Sequence, residues 1–154
     1  MPQWVEGLAP SELSEEWISV IAKLFLAETG EIYNANSIRS LPIPSWSGNL
    51  FLMNGNKPSD LQGLLWCMPY SEKRARVVAF TINKEHQSKG FGSQAWDIFC
   101  NAAKDAGHCE IQLEVRKSNE RAISFYEKKG LKIIGKIEGY YASGLGYVMR
   151  GQIN

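Results

Sequence analysis

Hydrophobic side chains recur at helical spacing early in the chain. Trp17, Ile21, Leu24 and Phe25 form one stripe with Glu28 next in the series, which predicts an amphipathic helix. Ser11 is the expected cap, and Glu12, Glu15 and Glu16 suit the positive end of the first turn. Gly30 ends the run, as glycine does where a helix terminates in left-handed backbone. Residues 31–48 lose the period; Pro42 and Pro44 hold them out of regular structure, apart from a turn of helix near Ile38 to Leu41. The pattern then shortens to strand-like runs at Asn49–Met53, Leu61–Met68 and Ala75–Ile82, with an Asn54–Gly55 turn after the first. Short connections of this kind predict an antiparallel meander.

Beyond residue 90 the period lengthens again. A helix is expected from about Gly92 to Ala106, ending at Gly107, then a strand from Glu110 to Val115. A second helix follows from Asn119 to Lys129, stopped by Gly130, and two strands close the series at Leu131–Ile137 and Tyr147–Gln152. Strand, helix, strand, helix at this spacing requires a crossover and a parallel strand pair. The fold class is therefore α/β, a mixed sheet with helices on its faces, and residues 1–154 fit one domain.

Composition narrows the function. Seventeen basic and sixteen acidic residues leave a net charge of +1, so no imbalance points toward nucleic acid or an anionic membrane surface. The start of the chain carries acids and a tryptophan in place of a basic and then apolar leader. No run approaches the ~20 apolar residues of a membrane span. A cytoplasmic protein, monomer or homodimer, is the expectation. Cys67, Cys100 and Cys109 lack CxxC spacing, and with His86 and His108 as the two histidines no metal site is expected.

Three segments offer chemistry. In Gln87-Ser88-Lys89-Gly90-Phe91-Gly92-Ser93, two glycines let the backbone turn tightly, and the N–H groups of the following helix start can meet an anion such as a pyrophosphate. A purely structural turn has the same signature. On the strand after the helix, Ile111, Leu113 and Val115 share one face while Gln112, Glu114 and Arg116 take the other. That polar stripe reads as a face opening onto a cleft or as a half-solvated strand. On the next helix, Asn119, Ala122 and Tyr126 share a face. They read as an amide, a gap and a phenol at a site, or as a helix cap and a core tyrosine whose hydroxyl reaches the rim.

In order and content these segments resemble the GNAT superfamily of acyltransferases: strand, Gln/Arg-x-x-Gly-x-Gly/Ala turn, helix, strand, helix. Leu113-Glu114-Val115-Arg116-x-Ser118-Asn119-x-x-Ala122-Ile123-x-x-Tyr126-Glu127-x-x-Gly130-Leu131 is similar to RimI-like and archaeal N-terminal protein acetyltransferases. Gly139-Tyr140-Tyr141 and Val148-Met149 extend the likeness, which covers about Val77 to Met149.

The resemblance implies acetyl-coenzyme A as cofactor. The backbone of Phe80, Thr81 and Ile82 would align the pantetheine arm, and Gln87 through Ser93 (Gln87, Ser88, Lys89, Gly90, Phe91, Gly92, Ser93) would hold the pyrophosphate. Asn119, Ala122, Phe125 and Tyr126 would line the thioester end. Glu114 would act as base and Tyr126 as acid, and Tyr140 and Tyr141 would grip a peptide acceptor. The proline common two residues after the cofactor strand is replaced by Asn83-Lys84-Glu85, and the loop Tyr141–Gly146 lacks an acidic pair frequent in RimI-like chains. The expected reaction is direct transfer of acetyl to a primary amine. A peptide N-terminus is the first acceptor, and a small amine such as a polyamine or aminoglycoside is the alternative. A non-catalytic acyl-coenzyme A-binding domain is a third reading.

Overall fold

Ser14 opens the first long helix, three residues later than Ser11, the expected cap. Its hydroxyl accepts a hydrogen bond from the Trp17 N–H at 3.3 Å, while Pro10–Glu12 forms a separate 3-10 turn. Leu13 is extended, at φ −74° and ψ 133°, and ends that turn, so the continuous helix starts only after it. The computed structural model of the chain describes residues 1–141 and 144–153, and of Tyr140 and Tyr141 the backbone alone.

The helices are α1 (Glu15–Thr29), α2 (Ala35–Arg39), α3 (Phe91–Asp105) and α4 (Glu120–Lys128). The strands are β1 (Gln3–Glu6), β2 (Leu50–Met53), β3 (Leu61–Pro69), β4 (Arg74–Ile82), β5 (Glu110–Arg116), β6 (Lys132–Tyr141) and β7 (Gly144–Gln152). Strand pairing among these residues gives one mixed sheet in the order β1-β2-β3-β4-β5-β7-β6, in keeping with the expected α/β class. β1 has no counterpart in the sequence pattern. Its four residues are mostly exposed and do not alternate, yet they pair antiparallel with β2.

The chain divides into two compact units, Met1–Met68 with Ala79–Ala102, and Pro69–Val78 with Ala103–Asn154. In the first, β1, β2 and β3 run antiparallel in turn, and Ile21, Phe25, Ile38, Leu52, Leu64, Leu65, Trp66 and Phe99 are buried. Burying one such side chain is worth about 1.5–3 kcal/mol. Gly63 is needed for close strand approach, since a Cβ there would stand 2.9 Å from the Thr81 carbonyl oxygen. α1 ends as expected, with Gly30 at φ 73° and its N–H bonded to Leu26 O.

In the second unit, β4 and β5 form the parallel pair over Arg74–Val77 and Glu110–Leu113. β7 then lies between β5 and β6, antiparallel to both. This insertion explains a close contact: a Cβ on Gly151 would come 2.7 Å from Gly130 O, so the strand passes the α4–β6 turn only as glycine. Ala75, Val77, Ile111, Leu113, Val115, Leu131 and Met149 are buried.

Candidate active site

The turn before α3 is held from several directions within the first unit. Asn83 starts a 3-10 turn over Lys84–His86. Its N–H donates to Gln62 O at 2.8 Å and its side-chain amide donates to Gln62 Oε1 at 2.6 Å, while its Oδ1 lies 2.7 Å from His86 Nδ1. The His86 ring meets Phe91 edge-on, with centroids 5.9 Å apart, and Trp4 Nε1 donates to Phe91 O at 2.8 Å. β1, missed in the sequence, therefore contributes the ring that steadies the first residue of α3.

Glu28, the polar member of the α1 series, reaches the same place. Its Oε2 accepts from the Lys84 N–H at 3.2 Å and its Oε1 accepts from Gln87 Nε2 at 2.8 Å. Gln87 Nε2 also donates to Ile82 O at 2.7 Å, and the Gln87 N–H bonds to Lys84 O. Gln87 thus braces the turn from inside with both its side chain and its backbone. The same bonds account for the missing proline: Asn83 and Lys84 both use backbone N–H groups here, and proline offers none.

Ser88 and Gly90 adopt positive φ, 60° and 88°. That conformation is strained for serine and free for glycine. A Cβ built on Gly90 meets nothing within 4 Å, and Ser88, Lys89 and Gly90 are exposed. The helix then starts at Phe91, and its first intrahelical bond, Gln94 N–H to Gly90 O, spans 3.1 Å. The N–H groups of Phe91, Gly92 and Ser93 precede it, as the leading donors of any helix do. Open space at Gly90, leading donors, a positive helix end and an exposed Lys89 suit an anion.

Upstream, Thr81 is buried, and Phe80 stacks on Trp96 with centroids 6.4 Å and planes 19° apart. Phe80, Thr81 and Ile82 lie beyond the stretch of β4 registered with β5.

In the second unit the polar stripe of β5 has an explanation that periodicity could not supply. Arginines from the flanking strands satisfy it. Arg150 on β7 donates twice to Gln112 Oε1, at 3.0 and 2.7 Å. Arg74 on β4 meets Glu110 at 3.4 Å. Arg76, also on β4, engages Glu114 through two nitrogens, Nε to Oε2 at 3.3 Å and Nη2 to Oε1. The Glu114 side chain is 10% exposed.

Asn119 is the cap of α4, its Oδ1 accepting from the Ala122 N–H at 3.2 Å, so the capping alternative holds for it. Tyr126 is buried at 8% exposure, with Phe125 edge-on to it at 5.5 Å and Lys129 Nζ 5.4 Å from the Phe125 ring. The side chains of Tyr140 and Tyr141, expected at the acceptor, lie outside the described residues.

Burial, and secondarily Cys100, pushes the Cys67 thiol well above its ordinary value. Cys109 is exposed and Cys100 half-buried. Among the described residues no group of three His, Cys, Asp or Glu is placed to hold a metal ion, and no helix is long and apolar enough to cross a membrane.

Residues 20–131 match the model of the acetyltransferase (GNAT) family. The chain belongs to that family. It is 35% identical over 78 residues to an N-alpha-acetyltransferase of Saccharolobus solfataricus, a match spanning 50% of this chain and 47% of that protein. The chain thus matches about half the length of this curated relative. Among solved structures, Ard1 from Thermoplasma volcanium superposes with a TM-score of 0.81 at 23% identity, covering 99% of this chain and 98% of that one. A NatC complex bound to Gag peptide and coenzyme A contains a chain that matches with a TM-score of 0.80 at 18% identity, covering 99% of each. Identities this low show the fold.

Proposed function

We propose that the protein transfers acetyl from acetyl-coenzyme A to the α-amine of a peptide or protein N-terminus. The observation that carries the reading is the turn into α3, where Gly90 at φ 88° leaves open space in front of leading helix donors. A coenzyme's diphosphate fits that place by charge and by room. The NatC complex, which shares the fold, is bound to coenzyme A and a peptide, and the N-alpha-acetyltransferase relative favours an α-amine over a small amine.

In this reading Ser88 through Ser93 bind the diphosphate, and Gln87 and Glu28 hold the turn in shape. Phe80, Thr81 and Ile82 offer strand backbone to the pantetheine arm. Acetyl-coenzyme A, when bound, supplies the acetyl thioester. Glu114 accepts the proton that the α-ammonium sheds before nitrogen bonds to the acetyl carbon, directly or through a water. As the carbon–sulfur bond breaks, Tyr126 gives its phenolic proton to sulfur. The nitrogen, positively charged once bonded to the acetyl carbon, sheds its second proton to the Tyr126 phenolate directly or through a water, and Glu114 releases its proton to solvent. Orientation of the two reactants supplies much of the acceleration, and no cysteine is needed as nucleophile. Tyr140 and Tyr141 would hold the acceptor's backbone.

A panel of N-terminal peptides, a polyamine and an aminoglycoside, read by thiol release and by mass spectrometry of the product, tests the assignment. Peptides acetylated on the α-amine are the expected products. Turnover confined to the small amines would overturn the peptide assignment.

A further inference from the structure

We propose that Arg76 is a positioning residue for this reaction, holding the Glu114 carboxylate in one orientation; the proposal rests on reading Glu114 as the base. In the parallel pair, Arg76 stands opposite Gln112, so Glu114 is the next residue along β5 on the same face. Gln112 Oε1 is already taken by two nitrogens of Arg150, and Glu110 is met by Arg74. Within this row of charges Arg76 is directed diagonally to Glu114, gripping each carboxylate oxygen with a different guanidinium nitrogen.

The grip differs from a surface ion pair. The two side chains are 24% and 10% exposed, so screening by water is limited. A planar guanidinium fork fixes direction as well as distance, which a lysine ammonium cannot. A glutamate has three rotatable bonds, and unheld it would spread over several rotamers. A base acts within hydrogen-bond reach, about 3 Å between heavy atoms, or through one water, so the orientation bears directly on the rate. The fork leaves acceptor positions open. A carboxylate offers roughly four acceptor positions, and a bidentate arginine occupies two, leaving one on each oxygen for an amine or a bridging water.

Five proteins test it: Arg76→Met, Arg76→Lys, Glu114→Gln and the double variants Arg76→Met/Glu114→Gln and Arg76→Lys/Glu114→Gln. We expect Arg76→Met to lower kcat at least tenfold, with coenzyme A affinity by calorimetry and KM for acetyl-coenzyme A unchanged. Arg76→Lys should recover part of the loss. In the Glu114→Gln background Arg76→Met should lower kcat no further, because residues acting through one another are not additive. If Glu114→Gln itself leaves turnover unchanged, the base assignment falls and this proposal with it. If Glu114→Gln is impaired but Arg76→Met keeps full kcat, or loses the same factor in both backgrounds, positioning is overturned while the base assignment stands. Should Arg76→Met fail to fold, Arg76→Lys is compared across the same two backgrounds, where a loss confined to the Glu114 protein supports positioning and an equal loss overturns it.

Discussion

Glu114 and Tyr126 differ from their isosteric replacements, glutamine and phenylalanine, by the capacity to take or give a proton. Glu114→Gln and Tyr126→Phe should each lower kcat by about 10²-fold or more, the usual worth of a placed acid or base, with coenzyme A affinity unchanged by calorimetry. Unaltered turnover in both would remove their roles. Thiol chemistry separates the cysteines. Cys109 is exposed and should react with a maleimide in the native protein, whereas Cys67, buried with its thiol pushed up, should label only on unfolding. The sign of the linkage is set by the native state holding this proton more tightly than the unfolded state. The contribution of Cys67 is therefore whole below the ordinary thiol value of 9.0 and is lost as pH rises above it. Residue-scale features were legible in the sequence where they depend on near neighbours. The Asn119 cap and the glycines of the turn before α3 show in adjacent positions, whereas the distant side chains that brace that turn do not. Arg76 and Glu28 were invisible because their partners lie 38 and 56–59 residues away, and no local pattern records which strand or helix will stand beside them.

Elements were legible in proportion to their regularity. α1, α3, α4 and the strands β2 to β5 emerged within a few residues of their bounds because each carries an apolar stripe or run. β1 did not, since at the sheet edge its four residues bury little and are ordered by pairing with β2. The position of β7 between β5 and β6 was equally hidden, because periodicity fixes a strand's faces and says nothing of its neighbours. The corrected start of α1 is open to a direct check. Ser14→Ala should cost about 1 kcal/mol in urea unfolding, and Ser11→Ala close to nothing. At the other end of the chain, Gly151→Ala forces a Cβ against Gly130 O and should cost roughly 1–3 kcal/mol. A neutral Gly151→Ala would mean that the α4–β6 turn yields more easily than its geometry implies.

For the whole molecule, family membership was legible because several motifs occur in one order along the chain, each of them weak in isolation. The acceptor was not legible, because residues 31–48 follow no period and the loop Tyr141–Gly146 departs from the RimI-like pattern. The bonds of Glu28 join α1 to the turn before α3, so on the proposed reading of that turn cofactor affinity would depend on a helix far away in sequence. Glu28→Ala should accordingly raise KM for acetyl-coenzyme A several-fold with a smaller effect on kcat. The claim beneath all of this is that the mouth of α3 grasps the diphosphate, and calorimetric titration of coenzyme A into the wild type and Gly90→Asp tests it most directly. The space around Gly90 admits the new side chain and aspartate tolerates left-handed backbone, so a folded variant is expected. Its carboxylate would then face the anion, and affinity should fall at least tenfold, about 1.4 kcal/mol. Equal affinity in the two proteins would contradict the account.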